Sequence, residues 1–228
     1  MLGAPEVAFK EADVMRIFVI NLAKRKDRLE HMTRQLSAFE RVEAVDGATV
    51  RNPPVNRFLF WCSKGYGVKP GEIGCALSHQ NVYRMIVEQG IDVACVLEDD
   101  VSLSEDFEGR IETLAADLRV EAPTVLAFAE TTAGYLINQS GARLMLSVNS
   151  PIRSTADDWR RWERAGIRRR VVDGLLIVSR YGNPHAEGIE RSDIIGDASQ
   201  FVVNMSWGQK VVFKLGRVIG KAVDCIWR

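Results

Sequence analysis

Val93-Ala94-Cys95-Val96-Leu97-Glu98-Asp99-Asp100 is an apolar run that ends abruptly in three acids. Five uncharged side chains in a row read as a buried strand. In open α/β sheets ligands bind outside the carboxyl ends of the strands, so acids at this junction point toward a site. Adjacent carboxylates repel one another, and a hard divalent cation with oxygen ligands is a direct compensation. A second reading stays open at this stage: an acidic loop that caps the next helix, starting near Ser104.

Working outward, Ile17-Phe18-Val19-Ile20 is another buried strand, ended by Asn21-Leu22. Leu29, Met32 and Leu36 then recur at offsets of three and four, which predicts a helix with one buried stripe from Lys24 to Leu36. Phe39 to Val45 is a short strand that stops at the turn Asp46-Gly47. Residues 48–69 contain Pro53, Pro54, Gly65 and Gly67 without a period and read as a long loop. Pro70-Gly71-Glu72 opens a helix that closes near Gly90, with Cys75, His79, Val82 and Ile86 on one face. Beyond the acids, Ser104–Leu118 reads as helix, Thr124–Phe128 and Gly134–Ile137 as strands, and Ser140–Val148 as a short helix. Strands alternating with helices predict an α/β layer architecture with a mostly parallel central sheet.

The 228 residues, 46% hydrophobic and 26% charged, suit one soluble domain with a single sizeable core. The formal net charge of zero argues against a nucleic-acid partner. Without an apolar run of spanning length or a basic-then-apolar leader, the expected location is cytoplasmic. Cys62, Cys75, Cys95 and Cys225 show no paired ligand spacing and read as reduced core thiols. The dinucleotide, P-loop and hydrolase patterns are absent.

Five ordered blocks carry a resemblance: Phe18–Leu22 with Arg25, Asp27 and Arg28; Glu43–Gly47; Gly71–His79; Val96–Val101; and Ala133–Ile137. Together, over roughly residues 16 to 165, they resemble glycosyltransferase family 25, which includes bacterial lipopolysaccharide or lipooligosaccharide galactosyltransferases and collagen galactosyltransferases. The resemblance implies a Rossmann-type GT-A-like catalytic domain over residues 16–180 and a UDP-sugar donor, usually UDP-galactose. It also implies Mn2+ or another divalent cation, inversion at the anomeric carbon, and a glycan or lipid-linked glycan acceptor such as lipopolysaccharide core. A catalytically silent member serving as a binding or scaffold module is the rival reading, because fold alone does not establish activity.

On that footing Asp100 and Glu98 are the expected metal ligands, and Asp99 belongs to the donor site. Asn21, Arg25 and Arg28 follow the first strand, where Arg suits phosphate or a base edge, or else opens a solvated helix. Asp46 either meets ribose hydroxyls or only makes a turn, and Glu72 either serves the donor or caps its helix. From its helical face alone His79 reads as a satisfied core group, whereas the family-characteristic pair Ser78-His79 is expected to orient donor phosphates or the acids at the catalytic centre. Inversion requires a carboxylate to accept the acceptor's proton. Ala156-Asp157-Asp158-Trp159 matches the family segment, so that one aspartate is expected as the base or as a metal or acceptor contact, or else the pair only opens an exposed helix; sequence does not separate Asp157 from Asp158.

Two basic regions remain. Residues 153–170 hold seven arginines against three acids, either a patch for an acidic glycan or a solvated face. After a lead-in over 1–15 and an irregular connection over 181–206, residues 207–228 place Lys210, Lys214, Arg217 and Lys221 opposite an apolar stripe. That pattern predicts an amphipathic C-terminal helix, lying on the inner face of a bacterial inner membrane or docked on its own domain.

Overall fold

Buried apolar runs become strands, and amphipathic runs cover the sheet they form, in the computed structural model, which describes residues 15–172 and 174–179. In chain order the elements are β1 (Arg16–Asn21), α1 (Lys26–Thr33), β2 (Glu40–Glu43), α2 (Arg57–Lys64), α3 (Pro70–Glu88), β3 (Val93–Glu98) and β4 (Val101–Leu103). There follow α4 (Phe107–Ala115) with a 3-10 turn (Ala116–Leu118), β5 (Thr124–Ala127), β6 (Gly134–Asn138), α5 (Gln139–Asn149), α6 (Trp159–Arg164), β7 (Arg168–Val171) and β8 (Ile177–Ser179). The readings for the lead-in, for the connection over 181–206, for the C-terminal helix and for Cys225 lie outside the described residues.

Six strands form one sheet in the order β2-β1-β3-β6-β5-β7. Its β1–β2, β1–β3 and β5–β7 pairs are parallel. Strand β6 alone runs against its neighbours. The expected mostly parallel sheet is therefore present, with one reversed strand inside it. Side chains alternate between two cores: Ile17, Val19, Cys95 and Leu97 pack beneath α1 and α4, while Phe18, Ile20, Ala94 and Val96 pack beneath α3 and α5. Register places Ile20 opposite Glu98, so β1 and β3 end together. Strand order turns back at this point, since β2 lies on one side of β1 and β3 on the other. Such a switch point opens a crevice at the strand ends.

Three readings are corrected. The supposed long loop over 48–69 contains α2, capped by the Asn56 side chain, which accepts from Leu59 N at 2.9 Å, and ended by Gly65 at φ 78°. Phe58–Cys62 is continuously apolar and masks the helical period, but only Phe60 and Cys62 are buried, Phe60 joining Ile73, Ala76 and Ile152 against α3. The acids also do not cap the following helix. Val101–Leu103 intervenes as β4, paired antiparallel with β8, and α4 begins only at Phe107. The helix read as starting at Ser140 begins at Gln139 and is capped by Asn138, whose side chain accepts from Gly141 N at 2.9 Å. Among the described residues no helix is long and apolar enough to cross a membrane.

Candidate active site

The crevice is a cleft of about 350 Å³ bounded by the ends of β1 and β3, the turn after β2 and the first turns of α3. The turn and the helix touch backbone to backbone. A Cβ on Gly47 would lie 2.7 Å from Gly74 N and far inside contact with Pro70 O, and one on Gly74 would lie 2.8 Å from Gly47 N. Ser78 fastens the same junction, donating to Gly74 O at 2.6 Å and accepting from Val45 N at 2.8 Å. Ser78 thus shapes the cleft wall, and the close approach of the two glycines leaves no mark in the local sequence.

Glu98, Asp99 and Asp100 all line the cleft, with Arg28, Lys24, Asp46 and His79. Each acid has different partners. Asp99 is held between Asn21, which donates at 2.7 Å, and Arg28, at 3.0 Å. Asn21 also donates to Arg25 O and accepts from Arg41, so it positions Asp99 from behind the cleft. Glu98 receives Thr132 at 3.0 Å and contacts His79 Nε2 at 3.3 Å. Asp100 has Arg28 at 3.4 Å, a long contact shared with Asp99. Burial and then the Glu98 charge push the Asp100 carboxyl up to about 6, and burial raises Asp99 too. Burial also opposes the Glu98 carboxylate, yet the hydrogen bonds from His79 and Thr132 leave it below its ordinary value.

Four carboxylates and two basic side chains line the cleft, which leaves two negative charges in excess. Hard oxygen donors with that excess fit a divalent cation, and Asp100 and Glu98 are the residues that would hold it.

The other expected residues distribute differently. Asp46 pairs with Lys24 at 2.8 Å and accepts from Ala48 N, making a turn and a cleft wall at once. Arg25 folds onto Asp27, at 3.1 and 2.9 Å, and does not line the cleft. Glu72 is a capping residue: it accepts from Lys69 N at 2.8 Å and from Tyr66 Oη at 2.6 Å. Asp158 accepts from Ser63 at 3.3 Å and from Ser154, and meets Lys64 at 3.3 Å. Burial opposes its charge, but Lys64 and these hydrogen bonds hold its carboxyl below the ordinary range. Asp157, by contrast, is exposed, and its charge acts on both the Cys75 thiol and the Tyr66 hydroxyl. Within the basic run, Arg169 pairs with Glu130 at 2.7 Å and lies over Trp159, and Arg170 makes an exposed pair with Asp117 at 2.9 Å.

This cleft, with its acids at the end of β3, lies inside the segment that comparison identifies. The family model described as "Glycosyltransferase family 25 (LPS biosynthesis protein)" matches residues 14–128. The chain belongs to glycosyltransferase family 25. It is 31% identical over 169 residues to "Procollagen galactosyltransferase 1-B" of Xenopus laevis, covering 58% of this chain and 28% of that protein. Over 181 residues it is 30% identical to "Procollagen galactosyltransferase 1-A" of the same organism, covering 63% and 30%. "Inactive glycosyltransferase 25 family member 3" of Homo sapiens is 34% identical over 116 residues, covering 46% and 20%. The family 25 region here therefore spans less than a third of the length of these relatives.

Proposed function

We propose that this family 25 chain is an inverting, metal-dependent glycosyltransferase of GT-A type that moves a hexose from a UDP-sugar, galactose first, to a glycan acceptor of the lipopolysaccharide core class. The observation that carries this reading is the cleft at the β1/β3 switch point, where Asp100 and Glu98 stand with an excess of negative charge. The relatives named as galactosyltransferases support the donor, and the family's description supports the acceptor class. A divalent cation bound there, manganese first, would neutralise charge developing on the diphosphate leaving group.

The chain's own residues supply the rest. Arg28 and Asn21 fix Asp99 at the cleft floor, and Lys24 offers a cation at the rim near Asp46. Asp157 is the base: as the acceptor oxygen bonds to the anomeric carbon and the sugar–phosphate bond breaks, its carboxylate takes the acceptor's proton. Contact with the inner membrane surface belongs to the same proposal and rests on the basic amphipathic pattern of residues 207–228.

Asp157→Asn is expected to lower turnover by about 10²–10⁴-fold, the range for a general base, with little change in melting temperature. Asp158→Ala should do the reverse, costing about 2 kcal/mol because it strands the groups that Asp158 satisfies. Donor turnover and thermal melts on both variants distinguish the roles, and wild-type turnover in Asp157→Asn would remove the base assignment.

The scaffold reading has one observation in its favour, the similarity to a relative named as inactive. Assaying release of UDP and transfer products from a panel of nucleotide sugars separates the two. Turnover of a single UDP-sugar with manganese supports transfer, whereas a folded chain inert toward every donor supports a scaffold.

A further inference from the structure

A second constellation in the cleft is built from softer donors. Cys75 on α3, His79 one turn further along and Glu98 at the end of β3 present three ligand atoms all within 4.8 Å of one another. What stands behind His79 fixes its role. Tyr135 donates to Tyr83 at 2.9 Å and meets His79 Nδ1 at 2.8 Å, so Nδ1 is tied to the core and Nε2 is the nitrogen that meets Glu98. His79, Tyr83 and Tyr135 are all buried, with 3% exposure or less, so this chain of hydrogen bonds is set by the core.

The consequence falls on Nε2. It lies 3.3 Å from Glu98 Oε1. When metal binds, the cation lies between these two atoms. An imidazole whose other nitrogen is held by a fixed hydrogen-bond partner is the arrangement that metal sites use to orient a ligating histidine.

The third corner selects the metal. Thiolate, imidazole and carboxylate together suit zinc, whereas manganese prefers oxygen. Ligand atoms around a tetrahedral zinc lie roughly 3.5 Å apart. The His79–Glu98 pair already has that spacing, and Cys75, within 4.8 Å of both, closes to it by a shift of roughly 1–1.5 Å at most. The fourth position would open into the cleft, which Cys75, His79 and Glu98 all line.

We propose that Cys75, His79 and Glu98 form a site for a thiophilic divalent cation of the zinc class, separate from the oxygen donors around Asp100. Glu98 is common to both sets, so zinc excludes the oxygen-bound cation and closes the donor site. The second statement rests on the metal-dependent reading above, and the first does not. Binding releases the Cys75 thiol proton.

Cobalt(II) is the probe, titrated into the full, reduced, metal-free chain and followed by absorption. The expected result is a thiolate-to-cobalt charge-transfer band that saturates at a one-to-one ratio and is bleached by zinc. Cys75→Ser is expected to lose the band while keeping the wild-type melting temperature, and His79→Gln to weaken cobalt binding by about 10–100-fold. A folded wild-type chain without the band, or a band that survives in Cys75→Ser, overturns the site. In manganese-supported donor turnover, Cys75→Ser should need at least about tenfold more zinc for half inhibition than wild type. Equal sensitivity would overturn the exclusion. If no donor turns over at all, the cobalt titration still decides the site, so the two failures are distinguishable.

Discussion

Asp100→Asn is expected to reduce donor turnover by about 10³-fold or more, because in the proposed mechanism it removes a charged ligand from the cation that would offset leaving-group charge, a loss of several kcal/mol. The same substitution is expected to make the metal-free protein more stable at neutral pH. The reason is the Asp100 carboxyl, raised by burial and by Glu98 from 3.8 to about 6. Between those values the folded chain holds a proton that the unfolded chain has released. Stability due to this group therefore falls as pH rises from about 4 to about 6, and above 6 its full cost is present. Asn does not ionise and carries no such cost. Melting temperatures of the two metal-free proteins should accordingly diverge across that window and run parallel above it. Manganese should restore stability to wild type alone, and more weakly below pH 6, where a proton competes for the ligand. Superimposable pH profiles for the two proteins would contradict the crowding of charge on which the site depends.

Gly47→Ala should be the most damaging small substitution in the described residues. Its Cβ would meet the Pro70 carbonyl and Gly74 N, both backbone atoms that no side-chain rotation can move. Overpacking of this kind costs about 3 kcal/mol or more, roughly a 10 °C fall in melting temperature for a chain of this size. Gly74→Ala, pressed against the Val45 carbonyl and Gly47 N, should behave alike. Both should also weaken donor binding, because the turn and α3 form the cleft wall. Gly109 is the control. It lies in α4 with nothing within 4 Å of an added Cβ, so Gly109→Ala should stabilise by about 0.5–1 kcal/mol. A harmless Gly47→Ala would show that the turn and helix are not locked together.

The contrast between these glycines shows where sequence reading stops. The strands β1 and β3, helix α3 and the position of the acids were legible because burial on one or both faces imposes a pattern on consecutive residues. Helix α2 was not, since Phe58–Cys62 is apolar at every position and only Phe60 and Cys62 turn inward. The close approach of Gly47 to Gly74 joins residues far apart in sequence and leaves no local mark. Among the site residues, Glu98, Asp99 and Asp100 were found by their place at a strand end, but their different environments come from Asn21, Arg28, Thr132 and His79. Asp157 and Asp158 are adjacent and chemically identical, and only the partners Ser63, Ser154 and Lys64 set them apart. Cys75 passed for a core thiol because its helical face is apolar, and the carboxylate that gives it another meaning arrives from β3.

The central statement, that the cleft at the end of β3 holds a nucleotide sugar through a divalent cation at Asp100, is tested most directly by thermal shift. Wild type and Asp100→Asn are titrated with UDP-galactose, UDP-glucose and UDP-N-acetylhexosamines, with and without manganese. The expected result is stabilisation of wild type by one UDP-sugar only when manganese is present, and no such stabilisation in Asp100→Asn. Stabilisation independent of manganese, or equal in the two proteins, would contradict it.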